Sequence, residues 1–441
     1  MTTDPRDELI EELRARVAEL EQRVAELEAQ LHSAAPFRRR ESKRKPPGQG
    51  RPPGRPPGHP GAYRVRPSRI DAQIHVPLKR CPICGGQVHA VEPCVQYIEE
   101  IPLVRPIVTE LTTECGCCPT CGLVRSSHPL QTSTATGAAG NHLGPRALAL
   151  AALLNKHVKL TMRATCRVLK EGFGLSLTAG GLAQAVQRVS QRLAPTRDEL
   201  IRQLRESPAV HVDETSWWLE NRQSWLWVFT DPATTLYRID DSRGRQVVLD
   251  MLTEHFSGTL ISDCLASYER LPYRMQKCYA HHLKAIADAL RLYPNSTYLQ
   301  DLRLALKAAM ILKSLKGHMA DETWRERRTH LERSVDALLR APPPEPMAAK
   351  VANRLLKRRA HLFTFLDHEE VDATNNRAER ALRPAVIARK LSCGNRSRAG
   401  ADAFEILASV TETARQRGQD IITLLCDHIR LAAAAAPAPE R

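Results

Sequence analysis

Beyond Pro208 the chain switches abruptly from helical patterning to short segments rich in Val, Ile, Thr, Trp and Tyr, and that switch limits its possible folds more than any other feature. AVHVDETSWWLE, SWLWVFTDP and TLYRID read as three consecutive strands of a meander, separated by turn signals such as Asp231-Pro232 and Ser242-Arg243-Gly244. A helix near 244–255 leads to a fourth strand, GTLISD, and MQKCYAHHLKAIADALRL starts as a short strand and continues as a helix. Residues 296–365 are mostly helical, interrupted at APPPEPM. The pattern predicts a mixed sheet with flanking helices, an α/β unit entered by a helical insertion. With 441 residues, 42% of them hydrophobic, the chain can hold two or three folded units plus accessory segments.

What precedes this unit is modular. Ile10, Leu13, Val17, Leu20, Val24, Leu27 and Leu31 alternate in steps of three and four, a heptad with Ile or Val at a and Leu at d, so residues 7–33 predict a parallel two-stranded zipper. Arg16 and Arg23 at g meet the partner's Glu21 and Glu28 at e, which favours a dimer over a solvated helix packed on its own chain. Residues 36–70 carry too much Pro and Gly for a helix or strand and predict an extended basic linker. Its Arg51, Arg55 and His59, spaced by Pro-Pro-Gly, suit either contact with a nucleic-acid backbone or a plain charged spacer. Residues 143–205 are helical. RATCRVLKEGFG and LTAGGLAQAVQRVSQRL, joined through GFGLSLT with Thr178 as cap, have the form of a helix-turn-helix with Arg188 facing outward, a pattern shared by ordinary helical bundles.

Charge points to a polyanion. The formal net charge is +15, and residues 38–80 alone hold thirteen Lys or Arg against Glu41 and Asp71, so eleven of those charges are local. No apolar run approaches the roughly 20 residues of a spanning helix, and the start of the chain has no signal-peptide pattern, so a cytoplasmic, DNA-associated protein is expected. Seven of the twelve Cys fall between Cys81 and Cys121. The Cys81/Cys84 and Cys118/Cys121 turns, each followed by glycine, have the spacing of a tetrahedral Zn²⁺ site, and residues 78–125 predict a zinc-ribbon-like domain with strands between the two turns. Cys115/Cys118 is also a C-x-x-C pair, so the ligand set stays open to Cys115 or Cys117, and a redox pair is the competing use.

Three acids attract attention: Asp213 in the first strand, Asp263 at the end of the fourth, and Glu379 in DATNNRAERALRPAVIARK, a segment otherwise loaded with Arg377, Arg380, Arg383, Arg389 and Lys390. Asn376-x-x-Glu379 also fits a capping box, Glu379 with Arg383 fits a surface ion pair, and Pro384 predicts a short or kinked helix just beyond the acid. Alternation along the strand cannot choose between Asp213 and its neighbour Glu214. Together, however, acids from a strand, a strand end and a helix are what a sheet needs to converge carboxylates on divalent ions.

HVDETSWW, LISDCLASY, CYAHHLKAI and NNRAERALRP, followed by Arg389-Lys390, resemble the blocks of the DDE transposases of bacterial insertion sequences, in particular the insertion-sequence-sixty-six family. The resemblance extends over nearly the whole chain. It implies a ribonuclease-H-like catalytic core at 208–395 with a helical insertion at about 296–370, a C-terminal helical segment and tail at 396–441, and a triad of Asp213, Asp263 and Glu379 holding Mg²⁺ or Mn²⁺. It selects Asp213 over Glu214. It departs from the family at Cys264-Leu265 and at CYAHH, where Cys278 and His281 are kept; His281 is shared between contact with the scissile phosphate or a metal-bound water and a structural role. The implied activity is cleavage and joining of DNA at terminal inverted repeats, with Arg377, Arg380, Arg383, Arg389 and Lys390 gripping the backbone and small accessory transposition proteins as partners. A DNA-binding regulator without chemistry, and a nuclease that cuts without joining, are the competing functions.

Overall fold

A computed structural model describes residues 64–133, 135, 140–341 and 343–434. The heptad segment 7–33 and Arg51 and Arg55 of the linker lie outside the described residues. The chain divides into two units, Met1–Ile101 and Pro102–Arg441. In the first, residues 64–101 form no helix or strand, with one organised turn at the first cysteine pair: Gly85 N–H donates to Cys81 O and Cys81 N–H to Gly86 O, both at 2.9 Å. Gly85 makes this turn at φ +75°, a conformation costly for any residue with a Cβ.

The second unit begins with a hairpin of β1 (Cys115–Cys118) and β2 (Gly122–Arg125). The strands expected between the two cysteine turns are absent: residues 86–114 form no strand. Val91, Ile98, Ile107 and Val108 there are exposed, and β-prone residues without a sheet to complete do not hold strand geometry. Helices α1 (Pro145–Ala152), α2 (Met162–Phe173), α3 (Ala179–Arg192) and α4 (Ala194–Arg205) follow, with a π-helical turn over Leu153–His157. Thr161 and Thr178 cap α2 and α3 by accepting from Ala164 N–H and Gly181 N–H, and Gly174 ends α2 in the left-handed conformation.

The sheet segments form where alternation places them: β3 (Ala209–Leu219), β4 (Arg222–Thr230), β5 (Thr235–Asp240), α5 (Arg245–Leu252), β6 (Thr259–Ser262) and β7 (Arg274–Lys277). Then come α6 (Tyr279–Leu292), the insertion helices α7 (Thr297–Ser314), α8 (Asp321–Arg340), α9 (Pro346–Leu356) and α10 (Thr364–Asp367), and finally α11 (Asn376–Ser392), α12 (Arg398–Gln416) and α13 (Ile421–Ala434). The five strands run in the order β5-β4-β3-β6-β7; β4 is antiparallel to both its neighbours, and β3, β6 and β7 are parallel. Glu220 and Asn221, both at positive φ, close the tight β3–β4 hairpin, the geometry that matches strand twist.

Side-chain parity sorts the core. Val210, Val212, Trp227, Phe229, Leu236 and Leu260 pack on one face against α1–α5, α12 and α13. On the opposite face Ala209 and Ile261 join α6–α10, while Trp217, Leu226, Val228, Tyr237 and Ile239 join α11 and α12. The helices of 145–205 therefore share a core with the sheet rather than standing apart from it. Among the described residues no helix is long and apolar enough to cross a membrane.

The free edge of β5 is covered in an unusual way. Glu405, Ser409 and Thr413, one per turn of α12, accept from the N–H groups of Ile239, Tyr237 and Thr235 at 3.0, 2.9 and 3.0 Å. Four helical residues rise about 6 Å and two strand residues about 6.8 Å, so the helix stays in step with alternate donors of the edge strand. Ser409→Ala leaves the Tyr237 N–H buried without its acceptor and is expected to lower unfolding free energy by about 1–3 kcal/mol. Urea denaturation checks this; no measurable loss means that another acceptor reaches the strand.

Candidate active site

The register of β3 and β6 brings two of the acids near each other. His211 pairs with Ile261, the last pair of the two parallel strands; Asp213 follows two residues on in β3 and Asp263 just past the end of β6, close enough for the charge of Asp263 to act on Asp213. Both share the parity of Ala209 and Ile261, and so open on the face that carries α6 and α11. Glu214 has the opposite parity. It is buried, accepts from Arg243 Nη2 at 2.8 Å and from the Tyr268 hydroxyl, and Arg243 stacks on Trp225 at 4.3 Å. Glu214 is thus committed to holding the sheet to the turn before α5, while Asp213 has no cationic partner among the described residues.

The electrostatics follow from this placement. Burial, then the charge of Glu214, with smaller contributions from Asp263 and Glu379 and against a lowering hydrogen bond from Glu214 N–H, raises the Asp213 carboxyl to about 7. Each aspartate has one oxygen fixed by backbone, Asp213 Oδ1 by Glu214 N–H and Asp263 Oδ1 by Leu265 N–H, both at 2.9 Å. The structure therefore brings all three acids into one field.

Glu379 arrives on α11 through a different device from the expected capping box. The residue before the helix is Asn375, and its side chain caps nothing. Fully buried, it donates through Nδ2 to Val212 O at 2.7 Å and meets His211 Nδ1 through Oδ1 at 3.2 Å, while its N–H donates to Cys278 Sγ at 3.1 Å. One amide thus ties the helix start to β3 and to the end of β7, immediately beside Asp213. His211 in turn faces Asp372 at 3.3 Å, which helps hold that carboxyl below its ordinary range. The helix is not cut short at Pro384: α11 continues to Ser392, because Ala378, Ala381, Leu382 and Ala385 bury one face against the sheet and offset the missing hydrogen bond.

Glu379 Oε1 lies 4.0 Å from His281 Nδ1, which is buried without a hydrogen-bond partner among the described residues. Cys278 Sγ, a nitrogen of His281 and a Glu379 oxygen all fall within 4.8 Å of one another. Burial raises the Cys278 thiol, which keeps it protonated, so the oxygens of the three acids are the harder and better donors for a divalent ion. The donor chemistry fits such an ion: clustered carboxylates, one of them protonated near neutrality for want of a cation.

The basic residues divide into two groups. Arg389 Nη1 donates to Thr215 Oγ1 at 3.2 Å and to Ser216, so it fastens α11 to β3. Arg377 is half-buried with Nη2 4.0 Å from Asp372, and Arg380, Arg383 and Lys390 are exposed along α11. Sequence reasoning missed Lys277, a buried lysine beside Asp263 that donates to Ser262 Oγ at 2.9 Å and that burial pushes down to about 8. Its only trace was a lysine inside the otherwise buried β7.

At the cysteine turns, backbone N–H groups of Cys84 and Ile83 lower the Cys81 thiol, and those of Cys121 and Thr120 lower Cys118. Cys115 and Cys117 share one side of β1 and Cys118 takes the other, since successive strand residues alternate. Arg188 is exposed on α3, as expected, while Leu182, Ala185, Val186 and Val189 bury the other side of that helix.

Comparison with known proteins adds a family to this geometry. A family model described as "Transposase IS66 family" matches residues 140–403, which takes in the capped helices, the sheet and all three acids. Uncharacterized protein y4jD of Sinorhizobium fredii (strain NBRC 101917 / NGR234) is 22% identical over 397 residues, 81% of this chain and 76% of that protein. Uncharacterized protein y4qI of the same organism is 24% identical over 301 residues, 60% of this chain and 56% of that protein.

Proposed function

The chain belongs to the IS66 family of transposases, and from that premise we propose that it binds the terminal inverted repeats of an insertion sequence, cuts a phosphodiester to free a 3′-hydroxyl, and joins that hydroxyl to target DNA. The observation that carries the proposal is the meeting of Asp213, Asp263 and Glu379 on one face of the five-stranded mixed sheet, with Asp213 feeling both other acids. Bound there, Mg²⁺ or Mn²⁺ supplies polarisation of the phosphodiester and activation of the attacking oxygen. Asp213 and Asp263 hold the ions from adjacent strands and Glu379 completes the set from α11. The backbone bonds that fix one oxygen of each aspartate leave the second free to face the substrate side. His281, with Nδ1 unpaired beside Glu379, orients the scissile phosphate or a water near it. Arg377, Arg380, Arg383 and Lys390 carry the DNA backbone past the acids, and Arg389 keeps the helix that bears them in place.

The remaining parts assist this chemistry. The pairs Cys81/Cys84 and Cys118/Cys121 have the sequence spacing of Zn²⁺ ligands, and within each pair backbone donors lower one thiol, as thiolate ligands require. Arg51, Arg55 and Arg188 add contacts to DNA, and the 7–33 zipper pairs two chains so that two element ends meet two active sites. The protein works in the cytoplasm, with small accessory transposition proteins as further partners. Incubation of the full chain with DNA of the element ends and Mg²⁺ or Mn²⁺ tests the proposal: metal-dependent cut and joined products are expected. Cutting without joining makes the protein a nuclease, and binding without cutting makes it a regulator.

A further inference from the structure

A cleft of 310 Å³ lies at the far end of α11 from Glu379, and its charge is one-sided. Lys156, Lys159 and Arg396 line it, with no Asp or Glu among the lining residues. Thr161 and Ser397, the caps of α2 and α12, also line it, so the positive ends of two helices add to the field. Helix starts alone prove nothing, but Lys156 does not behave as a structural lysine. It is 8% exposed, and its ammonium has no hydrogen bond or ion pair among the described residues and sits over the Phe404 ring at 5.7 Å. Burial, followed by the charge of Lys159, pushes its amine down to about 8. A buried cation without a counter-charge is costly, and a bound anion would offset that cost. It sits on the π-helical turn, with Lys159 at φ +69°, the kind of local irregularity often found at binding sites.

The path between the acids and the cleft says which anion. Arg380, Arg383, Ile387 and Lys390 are exposed at steps of three and four along α11, one continuous stripe that begins beside Glu379 and ends where Leu391 and Ser392 enter the cleft wall. Thirteen residues of helix cover about 20 Å, the reach of a few nucleotides. We propose that the cleft of Lys156, Lys159 and Arg396 binds a backbone phosphate of the DNA, a few nucleotides from the phosphodiester being cut. This rests on the transposase reading above and adds to it a fixed second point on the strand, which sets its register over the acids.

The test uses full-length protein, Lys156→Met, and Arg396→Ala as a second variant at an exposed position. Binding of a labelled duplex of the element end is followed by fluorescence anisotropy in chelator, across about 50–200 mM salt. Each variant is expected to bind roughly 5–10-fold more weakly, with the slope of log affinity against log salt reduced by about one. Lys156→Met is also expected to melt at the same temperature as the parent or higher, a combination that a merely structural lysine does not produce. Equal affinity and equal slope in both variants overturn the proposal. So does stabilisation of the parent by inorganic phosphate that Lys156→Met abolishes with DNA binding untouched, since the cleft then serves a small free anion. Failure of the transposase reading shows separately, as loss of metal-dependent cleavage by the parent protein.

Discussion

Asp263→Asn is expected to lower metal-dependent DNA cleavage by roughly 10³-fold or more, the scale of removing one electrostatic stabiliser from an active site. DNA affinity in chelator should hold or improve, because the substitution removes a negative charge facing a polyanion. The physical reason lies in the placement: Asp263 is close enough for its charge to act on Asp213, and an amide keeps the shape and the bond from Leu265 N–H while losing the charge that binds an ion. Glu214→Gln is the informative control. Glu214 is also a carboxylic acid and adjacent in sequence, but it is tied to Arg243 and Tyr268 on the other face, so its loss should cost stability, about 1–3 kcal/mol, and leave cleavage by the folded fraction intact. Cleavage kinetics with urea denaturation on both variants decide the matter. Full activity in Asp263→Asn removes Asp263 from the site, and a chemical defect in folded Glu214→Gln reassigns the first acid.

Asp213 makes the second large effect one of pH. Its carboxyl titrates at about 7 in the fold, above its ordinary value in the unfolded chain, so the folded state holds the extra proton between those values. Stability without metal therefore falls as pH rises from about 4 to 7, and the cost is complete above 7. Asp213→Asn should raise the melting temperature at pH 8 and change it little at pH 4. A divalent ion must displace the same proton, so stabilisation of the parent by Mn²⁺ is expected to grow from pH 6 to pH 8 and to vanish in Asp213→Asn. Differential scanning fluorimetry at the three pH values measures both. Mn²⁺ stabilisation that is independent of pH, or that survives the substitution, means that the ion sits elsewhere.

These effects depend on features of unequal visibility. The strands of 209–277 and the Thr178 cap were legible because alternation and capping are local properties of sequence. Pro384 misled, since its local penalty is real but smaller than the burial of Ala378, Ala381, Leu382 and Ala385 along the same helix. The cysteine segment misled in the other direction: its β-prone residues carry the local preference of strands, yet 86–114 forms no strand. Asn376 and Glu379 looked like a capping box, whereas the helix start is held by the neighbouring Asn375, which bridges α11 and β3 through Val212 and His211, partners more than 160 residues away in the chain.

The sequence by itself determined the element order, the acids worth considering and the concentration of cations around Glu379, all consequences of residue type and short-range spacing. Only the tertiary structure decided which face each acid takes, so that Glu214 is tied to Arg243 and Tyr268 while Asp213 feels the charges of Asp263 and Glu379. It also decided that Arg389 clamps β3 while Arg380, Arg383 and Lys390 are exposed, and that Lys156 is buried without a counter-charge among the described residues. Those outcomes depend on pairing between segments far apart in the chain, and no local pattern encodes which side of a strand, or which end of a helix, its distant partner will cover.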